Sequence, residues 1–299
     1  MRSLVTLVLS VTCLLGTASA DSLDDQLGPR EIAVGEAMRG GATGASAIAM
    51  NPAGLPLTRE LVFEGAYGYR FSDAASLIGV SACDSTVAAP GCFYYEYAGS
   101  SPDDAGMTGR RRTHFAGMTM SRAMVPRVLL GAGARYYDFN TDMSGEKSAS
   151  GFLFDLGATL RLTSQISFGL AGQNLLATEA SPQFPRALGG GLLARPLPTV
   201  TFSFDSRWRL DGDVHGARFG GGGELFLRTK GGQNGIPLRL GGVRDTGLDA
   251  TFLSAGLGYA NIRWSLDVSG RRQVAGGDDT LVLASLRFYG PREPSPSVE

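Results

Sequence analysis

From Glu60 onward the chain alternates apolar and polar residues with a period of two, in one segment after another. In Glu60–Phe71, Leu61, Phe63, Tyr67, Tyr69 and Phe71 share one face, and Glu60, Glu64, Gly68 and Arg70 share the other. Phe152, Phe154, Leu156, Leu160 and Leu162 likewise alternate with Asp155, Gly157, Thr159 and Arg161. Val200, Phe202, Phe204, Trp208 and Leu210 alternate with Thr201, Ser203, Asp205 and Arg207, and Ile262, Trp264, Leu266 and Val268 with Arg263, Ser265, Asp267 and Arg271. One face is apolar and aromatic, while the other mixes small residues with charges of both signs.

This pattern bounds the fold class. A soluble sandwich fills its apolar faces against one another. Here nearly every segment carries a long apolar face, and segments of about ten residues match tilted strands that span a bilayer. No stretch after residue 20 has the ~18 consecutive apolar residues of a membrane helix. A backbone in lipid must close its hydrogen bonds, and a closed barrel does so without an edge. The expectation is an all-β transmembrane antiparallel barrel of about fourteen strands. The segments are 61–71, 75–82, 92–100, 112–121, 128–139, 151–162, 165–175, 186–195, 199–210, 217–228, 236–245, 251–259, 262–272 and 280–289. Connectors after even-numbered strands are short and those after odd-numbered strands are longer and polar, which predicts a periplasmic and an exterior end. The connector holding Cys83 and Cys92 falls on the short side; either it is periplasmic or the count slips by one there.

Residues 1–20 read as a signal peptide, with Arg2, the apolar run Leu4–Leu15 and the small-x-small site Ala18-Ser19-Ala20. Residues 21–59 form an N-terminal periplasmic or lumenal segment, 60–289 the barrel and 290–299 a tail. Export to an oxidising compartment makes one Cys83–Cys92 disulfide the expected state, with two free thiols as the alternative. No further Cys or nearby His completes a metal set, and no cofactor is expected. A net charge of −1 gives no support for a nucleic-acid partner.

The stretch Gly41–Leu57 is small and uncharged. Ala45, Ala47, Ile48, Ala49 and Met50 favour a helical turn, which Pro52 ends by biasing Asn51 away from the α region. Asn51-Pro52-Ala53-Gly54 reads as a tight turn, with Gly54 able to take a positive φ. Taken alone, it is a helix-to-strand corner or a small-residue plug. Placed directly before the first strand, the run from Ala37-Met38-Arg39-Gly40-Gly41-Ala42 through Asn51-Pro52-Ala53-Gly54-Leu55 resembles the N-terminus of FadL-like outer-membrane barrels, nearest the PorV/PorQ-like branch. Gln173-Asn174-Leu175 resembles a recurrent feature of that branch. The resemblance implies a fourteen-stranded barrel with an N-terminal hatch folded into the lumen, whose turn Gly40, Gly41, Asn51, Pro52, Ala53 and Gly54 would fix. It implies passage or binding of small hydrophobic molecules and contact with outer-membrane lipid. FadL proteins capture substrates with long loops, whereas no connector here exceeds Ser101–Arg111 or Asn140–Ser150. PorV-type relatives dock secreted or envelope proteins, so a scaffold for a secretion, motility or surface-protein system is the alternative.

Enzymatic signals are thin, and the chain reads as a non-enzyme. Gly189-x-Gly191-x-x-Ala194 matches a dinucleotide fingerprint in form only, since no helix follows; glycines that admit a close neighbour or plug explain it better. Neither His114 nor His215 has the Ser of a barrel lipid hydrolase two residues away. Asp213 and His215 share a face, as in omptin proteases, but no facing acidic pair is evident, leaving that reading third. The inward charges Glu64, Arg70, Asp155, Arg161, Asp205, Arg207, Glu224, Arg263, Asp267, Arg271 and Arg287 either line a permeation path or pair among themselves around the plug, the preferred reading. Phe63, Tyr67, Phe202, Trp208 and Trp264 are expected to face lipid or form a girdle.

Overall fold

The computed structural model describes residues 28–104, 107–179, 181–211, 216–229 and 234–293. Fourteen strands follow the alternating segments: β1 (Arg59–Arg70), β2 (Ala75–Asp84), β3 (Gly91–Ser100), β4 (Arg111–Val125), β5 (Val128–Thr141), β6 (Ala149–Arg161) and β7 (Ile166–Ala177). They continue as β8 (Ala187–Leu197), β9 (Val200–Arg209), β10 (Ala217–Arg228), β11 (Gly235–Asp245), β12 (Ala250–Ala260), β13 (Trp264–Ala275) and β14 (Thr280–Glu293). Each strand pairs with its sequence neighbours, and β1 pairs antiparallel with β14 to close the barrel. In the connector after β3, Asp103–Asp104 and Met107–Thr108 form a small ladder of their own.

The expected count therefore holds through the region of the cysteines. Cys83 and Cys92 stand directly opposite each other on β2 and β3 and form the disulfide. Their hairpin, residues 85–90, lies at the end where the chain enters β1, called here the near end, together with the two-residue turns 126–127 and 198–199. Longer connectors, including 101–110, 142–148 and 178–186, lie at the far end. The closing strand continues to Glu293, which pairs with Arg59, and so extends past the predicted end at 289.

Side-chain direction follows the period of two. Phe63, Tyr67, Phe202, Trp208 and Trp264 all point outward and are exposed, as are Leu156, Leu240 and Leu253. An apolar outer surface is what a strand barrel needs toward lipid. No helix among the described residues is long and apolar enough to cross a membrane.

The interior is filled by residues 28–58. Pro29 begins the short helix α1 (Pro29–Ala33), which packs on β11–β13, and α2 (Ala45–Ala49) faces β2 and β4. A 3-10 helix, Pro52–Leu57, packs on β4–β7 before the chain turns into β1. Of the weak helical pattern in 21–39, the described residues 28–39 form the helix Pro29–Ala33, and the turn expected at Ala45–Met50 forms α2. Val34, Met38, Ile48, Met50 and Leu55 join Val62, Tyr94 and Leu193 of the wall in one buried cluster. The disulfide belongs to this cluster, and Cys92 Sγ lies 3.8 Å from the Gly44 carbonyl.

Candidate functional site

Asn51 anchors the N-terminal segment. Its Oδ1 accepts from Ala53 N at 3.1 Å and caps the 3-10 helix. Its Nδ2 donates to Arg39 O at 2.9 Å, to Thr159 Oγ at 3.0 Å and to Ala158 O at 3.2 Å. One fully buried amide thus ties two parts of the segment to β6. Gly54 departs from expectation: it sits inside the 3-10 helix, and its φ is not positive. Glycine is needed there for space, because a Cβ would lie 1.9 Å from Ala42 O. Gly40 and Gly41 similarly press on Leu193, and Gly40 O accepts a 2.5 Å hydrogen bond from Ser167 Oγ.

The wall answers with glycines of its own. A Cβ at Gly131 would meet the Pro52 backbone at 2.4 Å, one at Gly157 would meet Asn51 Oδ1 at 2.2 Å, and one at Gly169 would meet Arg39 O at 2.0 Å. On the opposite wall, Gly220 and Gly241 take the Gly35 backbone at 2.0 and 2.1 Å. Gly189 and Gly191 face the Arg39 side chain. The formal dinucleotide match is thus part of the surface that receives the segment.

Ion pairs complete the attachment. Arg39 donates to Asp205 from its backbone N at 2.9 Å and its Nη1 at 3.1 Å, and reaches Gln173 Oε1 at 3.3 Å. Gln173 in turn donates to Ala49 O at 2.5 Å. Glu36, at φ 58°, accepts from Arg218 at 2.7 Å and from Arg271 at 2.9 Å. A non-glycine residue in that region is costly unless its surroundings hold it there, and two guanidinium groups do so. Asn174, at φ 54°, marks a β-bulge between β6 and β7; its N donates to Asp155 at 2.6 Å, and Asp155 also pairs with Arg135 at 2.7 Å.

A second network runs along the wall. Arg30 meets Glu224 at 3.6 Å, Glu224 meets Arg239 at 2.6 Å, and Arg239 meets Asp267 at 2.5 Å. Arg287 then bridges Asp267 at 3.8 Å and Glu64 at 2.9 Å, carrying the chain of charges across the β14–β1 seam. Most of the predicted inward charges therefore pair with one another or with the segment. Arg70 is buried and pairs with Asp73 at the far end. Arg207 faces the central cavity, and Arg161 lies near the rim, donating to Pro126 O at 3.3 Å. Arg263 is a correction: it is exposed in the near-end turn before β13, because that strand begins at Trp264 rather than Ile262. Asp213 and His215 lie outside the described residues.

Two of the cavities among the described residues border the segment. The first, about 80 Å³, lies toward the far end above Glu36, Arg39 and Met50 and beneath Phe184. Phe184 comes from connector 178–186, which folds inward and stacks on Tyr137 and Phe115 with ring centroids at 4.6 and 5.3 Å. The second, about 70 Å³, lies between α2 and the inner faces of β1–β3. It is lined by Ile48, Leu77, Tyr94 and Leu283 and by the small residues Ala66, Gly68, Gly79 and Ser81. Ala49 and Glu96 line both cavities.

The charge pattern identified Asp205 and Asp267 but not Glu36, Arg39, Glu96, Arg135, Arg218 or Arg239. Glu36 and Arg39 precede the alternating segments, so no period assigned them a face. Glu96 alternates inward with Tyr94 and Ala98 on β3, so its inward direction is present in the pattern of 92–100 although its lack of a partner is not.

No protein-family model and no curated protein matches this sequence. Solved structures match the fold. A CymD monoaromatic hydrocarbon channel superposes with a TM-score of 0.69 at 11% identity, over 90% of this chain and 98% of that one. A toluene transporter from Pseudomonas putida, TodX, gives 0.61 at 13% identity, over 88% and 97%. A Pseudomonas aeruginosa FadL homologue gives 0.63 at 10% identity, over 88% and 98%. The chain therefore has the fold of these FadL-type channels.

Proposed function

We propose that this barrel sits in the outer membrane and binds and passes small hydrophobic molecules, with residues 40–54 acting as a hatch. The observation that carries this reading is the apolar cavity between α2 and β1–β3. Such a cavity, walled on one side by a separate segment, is the usual form of a small-molecule site. The likeness in fold to the CymD monoaromatic hydrocarbon channel and the toluene transporter TodX supports the same class of cargo. In this reading Asn51, Pro52 and Gly54 set the hatch turn, while the paired lumenal charges hold the hatch rather than conduct ions.

Mass spectrometry of the purified protein, together with uptake of labelled ethylbenzene by Gram-negative cells producing it, tests the reading. Co-purified apolar molecules and uptake above vector controls are expected, with bound molecules lost when residues 40–54 are deleted. A barrel of normal heat-modifiable mobility with neither bound molecules nor uptake would remove it. The short far-end connectors favour a second reading, a PorV-like docking platform. A stable envelope-protein partner on a barrel with no bound apolar molecule would decide for it.

A further inference from the structure

The β1–β3 cavity has an unusual polar complement. Its lining includes two carboxylates, Glu64 and Glu96, the Ser81 hydroxyl and the Tyr94 phenol, and no arginine or lysine. Glu64 is neutralised from behind by Arg287 at 2.9 Å. Glu96 differs: among the described residues its carboxylate has no hydrogen-bond donor and no ion-pair partner within 4.0 Å, and Arg135 acts on it only at longer range. Every other inward acid named above is held by an arginine, by a hydroxyl or by backbone N–H groups. A carboxylate withdrawn from bulk water without a donor is costly, and a cationic donor offsets that cost best.

The surroundings make room for such a donor. Ala66, Gly68, Gly79 and Ser81 leave the inner wall almost bare, so the cavity backs onto the strand backbone. A Cβ at Gly79 would touch only Glu96 Cγ at 3.9 Å and Ala66 Cβ at 4.0 Å. The 70 Å³ of space is about five times what one water requires, which admits a molecule of several heavy atoms. Ile48, Leu77 and Leu283 supply an apolar seat for its body.

We propose that this cavity is a binding site for a small apolar amine, whose ammonium group donates to Glu96 while its hydrocarbon part rests against Ile48, Leu77 and Leu283. This rests on the reading of the lumen as a hydrophobic-molecule site and narrows its cargo. Because Glu96 also borders the far-end cavity, it stands where a molecule passing around the hatch would meet it from either side.

Equilibrium dialysis of the purified full-length protein in detergent, corrected with empty micelles, tests the assignment. The probes are 2-phenylethylamine, ethylbenzene and phenylacetate, which share a ring and differ in head group. The amine is expected to bind about tenfold tighter than ethylbenzene, and phenylacetate more weakly than either. In Glu96→Gln and Glu96→Leu the amine-to-hydrocarbon ratio is expected to fall to about one, with heat-modifiable mobility reporting that the barrel has formed. Equal binding of amine and hydrocarbon by the wild type, tighter binding of phenylacetate, or a preference that survives both substitutions would overturn the amine site and leave the hydrophobic-cargo reading standing. Binding of none of the three would overturn both.

Discussion

The arc of wall from β5 through β13 and the short arc β1–β3 treat the N-terminal segment in opposite ways. On the long arc, glycines bring backbone against backbone, and Asn51, Arg39 and Glu36 are each held by two or more polar contacts. On the short arc the contacts are apolar, and a cavity separates Ala45, Ile48 and Ala49 from the strands. The same alternation built both, so the difference lies in which small residues face inward and what fills the space they leave. Along β5–β13 the space admits the segment; along β1–β3 it remains open. Under the proposed function, a passing molecule would take its route on the side where the segment is least attached, and movement of the segment would pivot on the charged side.

Substitutions on the two arcs should separate accordingly. Glu36→Ala removes the carboxylate that Arg218 and Arg271 share, leaving them Asp245 at 3.7 Å and Asp279 at 3.2 Å, and the loss of charge-assisted hydrogen bonds should cost about 1.5–3 kcal/mol. Limited proteolysis should then cleave within residues 28–58 while the barrel keeps its heat-modifiable mobility; unchanged protection would show that the ion pairs do not hold the segment. Gly157→Leu drives a side chain into Asn51 Oδ1 and should destabilise by about 1–3 kcal/mol, whereas Gly79→Leu on the open arc should leave the urea midpoint near that of the wild type. Equal effects at the two glycines would erase the comparison. Asn51→Ala removes the cap and the tie to β6, and a loss of about 1–2 kcal/mol is expected in the same urea titration.

The smallest effect is expected away from both arcs. Glu146, in the far-end connector 142–148, is partly buried, which raises its pKa, but hydrogen bonds from Arg111 and Thr141 outweigh burial and hold it below the ordinary glutamate value. Its contribution is present above the unfolded-state pKa and lost as pH falls through the lowered folded value. For a partly buried pair at the solvent-facing end of the barrel this is worth less than about 1 kcal/mol. Glu146→Gln should remove that acid-side slope without altering protection of residues 28–58.

Much of the barrel was legible because a period of two, once set by lipid outside and a filled lumen inside, fixes every side chain's face. Strand ends were read to within a few residues, and the disulfide followed from two cysteines flanking a short connector in a chain expected to be exported. The motif before β1 was legible as a turn, but Gly54 was assigned to positive φ when close packing on Ala42 is the reason for it. Arg263 was placed inward because the apolar Ile262 extended the alternation into a turn. The polar contacts of Glu36 and Arg39 could not be read, since nothing local says which of many inward charges a crossing segment will meet. Glu96 was missed for a different reason: alternation marks a charge as inward but not as lacking a partner.

The central claim is that hydrophobic molecules pass through the space between α2 and β1–β3. Uptake of labelled ethylbenzene by cells producing equal amounts of wild-type and Gly79→Leu barrels tests it most directly, because the leucine fills that space without touching the segment's polar attachments. The account predicts uptake by the wild type and a loss to the vector level in the variant. Equal uptake by the two would contradict it.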